Sequence, residues 1–321
     1  MPPEDFAQYV AILGRGPGRS RALTRDEARR AFASVLAGEA DPHQVGAFLM
    51  LLRYRGEDAD EITGLVEAAQ AILPAVPRAV LDWPSYGAGR TRDAPWFLLS
   101  ALALGHAGTR ILMHGSNAFG SAQSTADGLA SLGLAPARDC EEAATSLDRI
   151  GFAYLPIEVL SPKIADLLAV RRLFGLRSPV NTVARLLDPA RAYSGVDGVF
   201  HPAYIAVHLG VAQNLGRRRL LVLKGGGGEA ERVPAKPELA HLWAADLGRS
   251  EIALPAVASA GDRCESDREL LASVWHGEVM PARALATIHA TIALALLALG
   301  RTTDADTAQH DAERIWQTRM R

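Results

Sequence analysis

The sequence predicts an α/β protein in which a small helical domain accompanies a larger domain with a mostly parallel central sheet. Helix signals occupy the chain up to Pro74. After Pro77, short apolar strands alternate with helices, which is the pattern of an open and largely parallel sheet. A second helical stretch, residues 161–187, interrupts that alternation and is expected to rejoin the N-terminal helices.

Composition limits the classes of protein to consider. The chain has 321 residues, 49% hydrophobic and 22% charged, which is enough for one large or two unequal domains with a packed core. Its formal net charge of -2 gives no global attraction to nucleic acid or anionic membranes, so such binding needs a local patch. The two cysteines form no CxxC pair, and the N-terminus has no signal-peptide pattern. We therefore expect a cytoplasmic protein that does not bind membranes.

Three helices are predicted in the N-terminal domain. Thr24 and Glu27 have the spacing of a capping box that starts the first helix. Asp41 is a suitable N-cap for the second helix, with Pro42 at its first position. The third helix is expected at about 58–73 and ends before a proline.

The larger domain is predicted to contain six strands with helices between them. The strands are expected at 79–82, 110–113, 151–155, 195–200, 220–223 and 252–254. The apolar stretch 284–299 is shorter than a membrane span and is predicted to be a buried core helix. We assign residues 1–75 and 161–187 to the helical domain, and 76–160 and 188–321 to the α/β domain.

The loop after the first predicted strand has the features of a phosphate site. Gly87 and Gly89 allow backbone N–H groups to approach an anion, and a helix begun by Pro95 directs its positive end to the same place. Plain tight turns also contain such glycine pairs, and no Walker lysine motif or full G-x-G-x-x-G is present. The run Gly225 to Gly228 presents a similar choice, between an anion nest beside Lys224, which we favour, and a flexible turn.

A local basic segment near the N-terminus is a candidate for nucleic-acid binding. It holds six arginines against two carboxylates: Arg15, Arg19, Arg21, Arg25, Arg29 and Arg30. Such side chains contact phosphates without reading base sequence, although a solvated helix start explains them equally well. Little aromatic interleaving accompanies them, and Arg217, Arg218, Arg219 and Lys224 are the next candidates.

Several motifs together carry a family resemblance. They are Leu23 to Ala28 (LTRDEA), Gly38-Glu39-Ala40, His114-Gly115, Ser124 to Gly133 (STADGLASLG), Gly151-Phe152 and Val170 to Ala190. The chain thereby resembles the anthranilate phosphoribosyltransferase family, which is glycosyltransferase family 3 with a nucleoside phosphorylase-like fold. The segments 13–16, 84–86 and 224–231 resemble the YbiB-like branch of that family, whose known member binds DNA.

The resemblance implies a homodimer through the N-terminal helices and a substrate cleft between the two domains. The implied cleft residues are Ser85, Gly87, Gly89, Arg90, His114, Gly115, Ser116, Ser124, Arg171 and Lys224. His114 is as well explained as a hydrogen-bonded structural histidine. Arg171 is equally typical of a solvated helix face or of an ion pair between domains. A phosphorylated small molecule is the ligand class that this cleft implies.

The chain departs from the family pattern where pyrophosphate and acceptor bind. The glycine-rich loop of the enzymes is replaced by Ser85 to Arg90, and a lysine is replaced by Met113. Ser161 stands where the family has a histidine, and Ala184-Arg185 where it has Gly-Pro. The family's Asp-Glu pair for magnesium falls in a stretch that offers only Glu229 and Glu231.

These departures predict a degenerate pyrophosphate site, because phosphoribosyl transfer depends on positioned cations and backbone donors. The first hypothesis is therefore a protein that binds DNA or RNA without sequence preference. The alternative is a transferase that uses phosphoribosyl pyrophosphate with an unidentified aromatic or amine acceptor. Mg²⁺ is expected only in the second case.

Overall fold

The computed structural model describes residues 5–16, 18–87, 94–116, 124–259 and 270–319. Two of the cleft residues implied by the family resemblance, Gly89 and Arg90, lie outside these ranges. Within them, the chain forms helices around a sheet of order β3-β2-β1-β4-β5-β6-β7. The predicted fold class, a helical part joined to an α/β part with a mostly parallel sheet, is confirmed.

The N-terminal part folds into helices whose caps are those that the sequence predicts. These helices are α1 (Ala7–Gly14), α2 (Arg25–Ala37), α3 (Pro42–Arg55) and α4 (Ala59–Ala71). The Thr24 side chain accepts from the Glu27 amide in a complete capping box, and Asp41 caps α3. The first helix, α1, is additional to the three predicted, because no side chain caps its start and the sequence gives no start signal there.

The remaining elements alternate along the chain. The strands are β1 (Leu81–Ser85), β2 (Ile111–Gly115), β3 (Phe152–Pro156), β4 (Ser194–Gly198), β5 (Arg219–Leu223), β6 (Glu238–Ala244) and β7 (Gly248–Leu254). The helices are α5 (Trp96–His106), α6 (Thr125–Ser131), α7 (Cys140–Ile150), α8 (Ile157–Leu160), α9 (Pro162–Ala169), α10 (Arg171–Phe174), α11 (Val180–Arg185), α12 (Ala203–Asn214), α13 (Leu270–His276), α14 (Ala282–Leu299) and α15 (Ala305–Thr318).

The sheet is parallel from β3 to β5 and antiparallel at its β6–β7 edge. The strand β6 was not predicted, because its alternation of buried and partly exposed residues lies in a segment without strong turn signals. From β1, the chain adds β2 and β3 on one side of the sheet, and then adds β4 and β5 on the other side of β1. The topological switch point, where open α/β sheets bind their ligands, therefore lies between β1 and β4.

The apolar helix α14 is the only helix in the described ranges that is long and apolar enough to cross a membrane. It is nevertheless an internal helix, since 72% of it is buried within the fold. The Ser100 hydroxyl of α5 donates to the Ile288 carbonyl of α14, 3.0 Å away. The prediction of a buried core helix is confirmed.

The segment 161–187 contacts the N-terminal helices by hydrogen bonds as well as apolar packing. Lys163 Nζ lies 2.6 Å from the Leu36 carbonyl oxygen, and Gln70 Nε2 lies 2.7 Å from the Leu187 carbonyl oxygen. Ile164 and Val183 share an apolar cluster with residues of α2 and α4. The exact domain boundaries at residues 75, 160 and 187 stay a prediction.

Candidate anion-binding cleft at the switch point

The cleft lies where β1 and β4 end side by side. Leu81 pairs with Ser194 in register, so the two strands carry their following loops to the same edge of the sheet. Ser85 ends β1, and its Oγ is 2.8 Å from Thr125 Oγ1 at the start of α6. The Ser124 side chain caps α6 through the Asp127 amide. Ser85 and Ser124 thus lie close together, as the family resemblance implies, but their hydroxyl groups already have protein partners.

The described start of the glycine loop has a partner within the protein. The Gly87 amide donates to Glu229 Oε1 over 2.6 Å, and Glu229 is 1% exposed. Backbone amides in such a loop would otherwise face a bound phosphate. In this structure the anion at Gly87 is the protein's own carboxylate.

A second carboxylate occupies the start of α5. Glu231 Oε2 accepts from the Phe97 amide over 2.8 Å, and Phe97 lies in the first turn of that helix. A carboxylate there interacts favourably with the positive end of the helix. The helix end that was predicted to face a phosphate therefore has an internal anion.

The glycine run after β5, residues 225–228, sets the positions of the Glu229 and Glu231 carboxylates that follow it. A Cβ on Gly225 would lie 1.5 Å from the Glu229 carbonyl oxygen, and one on Gly198 would lie 2.0 Å from it, so the run folds tightly against the end of β4. The Gly228 amide donates to the Gly225 carbonyl oxygen, and the Gly226 amide donates to the Glu231 carbonyl oxygen. These two amides are thus used inside the turn, and the expectation of an anion nest here is wrong for them. Lys224 beside the run is exposed.

Arg185 lies against Glu229. The guanidinium is buried, and its Nη1 donates to the Gly198 carbonyl oxygen over 3.1 Å. Its Nη2 is 4.0 Å from Glu229 Oε1. Arg185 stands where the resembled family has the proline of its Gly-Pro pair, so a cation and its partner carboxylate replace an apolar ring.

His114 is an internal residue of β2. It is fully buried, its Nδ1 is 2.9 Å from the Tyr86 hydroxyl, and its Nε2 is 3.2 Å from Asp82 Oδ1. Burial holds the pKa of Tyr86 well above its ordinary value. The next position, Gly115, requires a glycine, because a Cβ there would lie 1.9 Å from the Ser85 carbonyl oxygen. His114 is thus a buried residue whose two ring nitrogens face Tyr86 and Asp82.

Behind His114, charged groups form a buried chain. Arg217 Nη2 is 3.0 Å from Asp82 Oδ2, and its Nε is 3.4 Å from Asp188 Oδ2. Burial raises the pKa of Asp188 to about 6, against the opposing effect of Arg217. Arg217 and Arg219 are both buried, so these two reserve candidates for nucleic-acid contact are wrong, while Arg218 is exposed.

A cavity of about 360 Å³ opens beside the end of β4. Four arginines line it: Arg53 from α3, Arg171 from α10, Arg177 from the following loop and Arg185 from α11. Asn181, Phe200, His201 and Tyr204 are also among its lining residues. The cavity thus joins the N-terminal helices, the segment 161–187 and the end of the sheet. Of the eight cleft candidates that the structure describes, Arg171 alone lines it. Ser116 instead donates to Glu158 over 2.9 Å.

Most of the arginines in the N-terminal basic segment have carboxylate partners. Arg21 contacts Glu27 at 2.7 Å, and Arg25 contacts Glu67 at 2.5 Å. Asp26 is shared between Arg29 and Arg30. Within the described ranges, Arg15 and Arg19 have no such ion pair. Arg55, the last residue of α3, donates from Nη1 to the Oγ of Ser20, which follows Arg19. The cationic surface is therefore smaller than the sequence implies, and it extends toward α3.

Family profiles match two parts of the chain. Residues 7–71 match the helical bundle domain of a glycosyl transferase family, and residues 97–318 match its α/β domain. The chain belongs to glycosyl transferase family 3. Within this family, it is 26% identical to an anthranilate phosphoribosyltransferase of Serratia proteamaculans, over 92% of each chain. The identity is the same, 26%, with an anthranilate phosphoribosyltransferase of Yersinia pseudotuberculosis.

Solved structures of family members have the same fold. Anthranilate phosphoribosyltransferase from Thermus thermophilus superimposes with a TM-score of 0.80 at 22% identity, over 98% of this chain and 94% of that one. The Saccharomyces cerevisiae enzyme in complex with phosphoribosyl pyrophosphate and magnesium gives a TM-score of 0.78 at 16% identity, over the same shares of the two chains. At these identities, the likeness establishes the common fold.

Proposed function

We propose that this family 3 protein has a pyrophosphate site filled by its own carboxylates, and that it binds nucleic acid without sequence preference. The observation that carries the first part is the pair of contacts from Glu229 to the Gly87 amide and from Glu231 to the Phe97 amide. The loop amide and the helix start that suit a pyrophosphate both have an internal anion. A substrate would have to displace these carboxylates before it could bind.

Displacement is costly for electrostatic reasons. Glu229 is buried beside Arg185, and moving it would leave a buried cation without its carboxylate. If Glu229 stayed, its charge would repel the incoming pyrophosphate. Loss of one donor to a developing charge typically lowers a rate by about 10²–10³. We therefore expect no efficient transfer to anthranilate.

Magnesium fits these two carboxylates poorly. Mg²⁺ requires near-octahedral oxygen ligands and is usually held by carboxylates together with substrate phosphates. Glu229 and Glu231 each accept a hydrogen bond from a backbone amide, and the Arg185 cation lies next to Glu229. In the described ranges, no group of three or more His, Cys, Asp or Glu side chains forms a metal cluster.

The nucleic-acid part of the proposal is supported by a strip of cations with an exposed aromatic ring. Arg15 and Arg19 precede α2, and Arg55 contacts Ser20 of the same loop. Arg53 lines the cavity two residues before the end of α3. Tyr54, between these last two arginines, is 91% exposed. Arginines neutralise phosphates and an exposed aromatic ring stacks with any base, so the strip suits binding without sequence preference.

Mobility-shift titration at several salt concentrations tests this function. The variant with Arg15, Arg19 and Arg55 all changed to Ala is expected to bind more weakly, by the same factor on unrelated sequences. Arg21 is left in place because it contacts Glu27 of the capping box. The proposal fails if the wild-type protein gives no shift at low salt.

We also propose a homodimer through the N-terminal helices. Phe48 and Leu52 of α3 are buried within the single chain, at 0% and 1% exposed, so a partner cannot cover them. A partner would instead cover Met50 and Leu51, which are only partly buried, and Leu173, which is 85% exposed. Sedimentation of a monomer at micromolar concentration would contradict this.

A second candidate function is transfer from phosphoribosyl pyrophosphate to another aromatic or amine acceptor. The observation that favours it is the cavity beside the glycine loop, which keeps Arg171 in its lining. In this reading, Glu229 would move and Mg²⁺ would arrive with the substrate. Calorimetric titration with phosphoribosyl pyrophosphate and Mg²⁺ separates the two functions, because only the transferase gives saturable heat.

A further inference from the structure

We propose that a second cavity, at the end of the sheet opposite the candidate cleft, binds a small phosphate dianion. We call it the amino-end cavity; Asp188, Arg191, Tyr193, Arg217 and Arg218 are among the residues that line it. Its volume is about 310 Å³, at the lower end of the range for small-molecule sites. The ligand class is therefore inorganic phosphate or a small phosphomonoester, and not a nucleic-acid strand.

The amino-end cavity lies where β4 and β5 begin. Tyr193 directly precedes β4, and Arg218 directly precedes β5. Ser194 and Arg219, the first residues of these strands, pair in parallel register, so Tyr193 and Arg218 lie side by side. Both are exposed. The candidate cleft lies past the carboxyl ends of the same sheet, so the two sites are separate.

The lining of the amino-end cavity has more cationic than anionic groups. Three guanidinium groups, those of Arg191, Arg217 and Arg218, accompany the single carboxylate of Asp188. That carboxylate is already used, because Asp188 Oδ2 lies 3.4 Å from Arg217 Nε in a buried ion pair. Among the residues that the structure describes, Arg191 and Arg218 have no partner for their side chains. The lining thus has two uncompensated positive charges, which match the charge of a phosphate dianion.

The backbone along one wall of the cavity is strained. Asp188 and Arg191 have φ angles of 40° and 49°, and no other non-glycine residue in the described parts of the chain has a positive φ. The turn is held by the Ala192 amide, which donates to Asp188 Oδ1 over 2.9 Å. Glycine would adopt this backbone at position 191 without strain. Strained positions are concentrated at ligand sites, and these two line the same cavity.

Tyr193 adds a neutral donor to the two arginines. It is 46% exposed, and its hydroxyl has no hydrogen bond to any described residue. Guanidinium groups bind phosphate oxygens through paired N–H donors, and a phenol hydroxyl can donate to a further oxygen. The three side chains come from two segments that only the fold brings together, the turn before β4 and the start of β5.

Fluorine NMR of the full chain labelled with fluorotyrosine tests binding at this cavity directly. The Tyr193 resonance is the one that the Tyr193→Phe variant lacks. Inorganic phosphate, added at constant ionic strength, is expected to shift this resonance saturably. Arg171→Gln, which removes an arginine of the cavity at the other end of the sheet, should leave the Tyr193 response unchanged.

Two variants remove the proposed phosphate contacts. Arg218→Gln and Arg191→Asn should each weaken phosphate binding about tenfold or more, which is the usual effect of losing a charged hydrogen bond. Asparagine tolerates positive φ, so Arg191→Asn should unfold at the same Tm as wild type or higher. A purely structural role for Arg191 would instead lower Tm. The absence of a saturable shift in the wild-type protein, or an equal phosphate affinity in both variants, would overturn the proposal.

Duplex DNA separates this site from the proposed nucleic-acid surface. Arg191→Asn should keep the wild-type affinity for DNA, because none of Arg15, Arg19 and Arg55 lines the amino-end cavity. A protein that binds no DNA but gives the saturable phosphate shift would contradict the proposed function and support this site. If Arg191→Asn weakens DNA binding and leaves phosphate binding unchanged, the site contacts a strand and the small-ligand proposal is wrong.

Discussion

The Gly87 amide and the Glu229 carboxylate, 142 residues apart in the chain, form a 2.6 Å hydrogen bond where the glycine loop begins. This bond places a negative charge where a phosphate-binding loop presents its donors. It is supported by Arg185 on one side and by the glycine run that folds against Gly198 on the other. The described start of the loop, at Gly87, is therefore held by contacts between distant segments.

Removing that carboxylate should open the loop to anions. Glu229→Gln removes the charge and keeps an acceptor for the Gly87 amide, whereas Glu229→Ala removes both. Pyrophosphate affinity measured by calorimetry should therefore increase from wild type to Gln to Ala, by about tenfold or more overall, equivalent to about 1.4 kcal/mol.

Glu142→Ala, which removes an exposed carboxylate that pairs with Arg138, is the control and should leave pyrophosphate affinity unchanged. Equal pyrophosphate affinity in all four proteins would show that Glu229 does not block the loop.

The close packing of the glycine run predicts a stability difference between two glycine positions. Gly198→Ala would place a Cβ 2.0 Å from the Glu229 backbone, so the run must shift, and we expect a loss of about 1–3 kcal/mol in the free energy of unfolding. Urea titration measures it.

Gly46→Ala is the matched control for this stability test. Its Cβ would lie 3.7 Å from the Phe174 ring, an ordinary contact, and alanine favours the interior of α3 by up to about 1 kcal/mol. A Gly198→Ala variant as stable as Gly46→Ala would contradict the packing described here.

Much of the fold follows from local sequence signals, whereas the contact between Gly87 and Glu229 does not. The caps at Thr24 and Asp41 are found as predicted, because capping depends on residues within one turn. The Gly87–Glu229 bond joins two segments with no shared pattern, and no local rule indicates it. The sequence did mark Arg185 as unusual, but its burial against Glu229 required the structure.

The same limit applies to the cationic surface. A count of charges along residues 15–30 cannot show that Glu67, on another helix, pairs with Arg25. Nor can it show that Arg53 meets Arg171 and Arg177 around one cavity. Tyr54, which follows Arg53 in the chain, likewise becomes a candidate for base stacking only because the structure shows that it is exposed.

Nucleic-acid affinity should fall with salt in proportion to the number of phosphates contacted. On duplex DNA, each lost contact should reduce the slope of log affinity against log salt by about 0.9. The Arg15, Arg19 and Arg55 triple alanine variant should therefore have a flatter slope than wild type in fluorescence anisotropy. Arg314→Ala, an exposed arginine of α15, should keep the wild-type slope. An unchanged slope in the triple variant would move the binding surface elsewhere.

The buried Asp188 predicts a pH dependence of stability. Burial raises its pKa from the ordinary 3.8 to about 6, so between these values the folded protein binds more protons than the unfolded chain. Its contribution to stability must then increase as pH falls from 7 to 5 and be lost as pH rises through about 6.

Urea unfolding of wild type and of Asp188→Asn, compared across this pH range, isolates the group. The wild-type protein should gain stability relative to the variant on acidification. A relative loss on acidification would mean that Arg217 outweighs burial and lowers the pKa of Asp188.

The most direct test of the proposal that internal carboxylates replace the pyrophosphate is a turnover assay with anthranilate, phosphoribosyl pyrophosphate and Mg²⁺, run beside an established anthranilate phosphoribosyltransferase. Our account predicts no detectable product from the wild-type protein, because we propose that Glu229 and Glu231, which accept from the Gly87 and Phe97 amides, take the place of the pyrophosphate. Robust magnesium-dependent turnover that Arg171→Ala abolishes would contradict it.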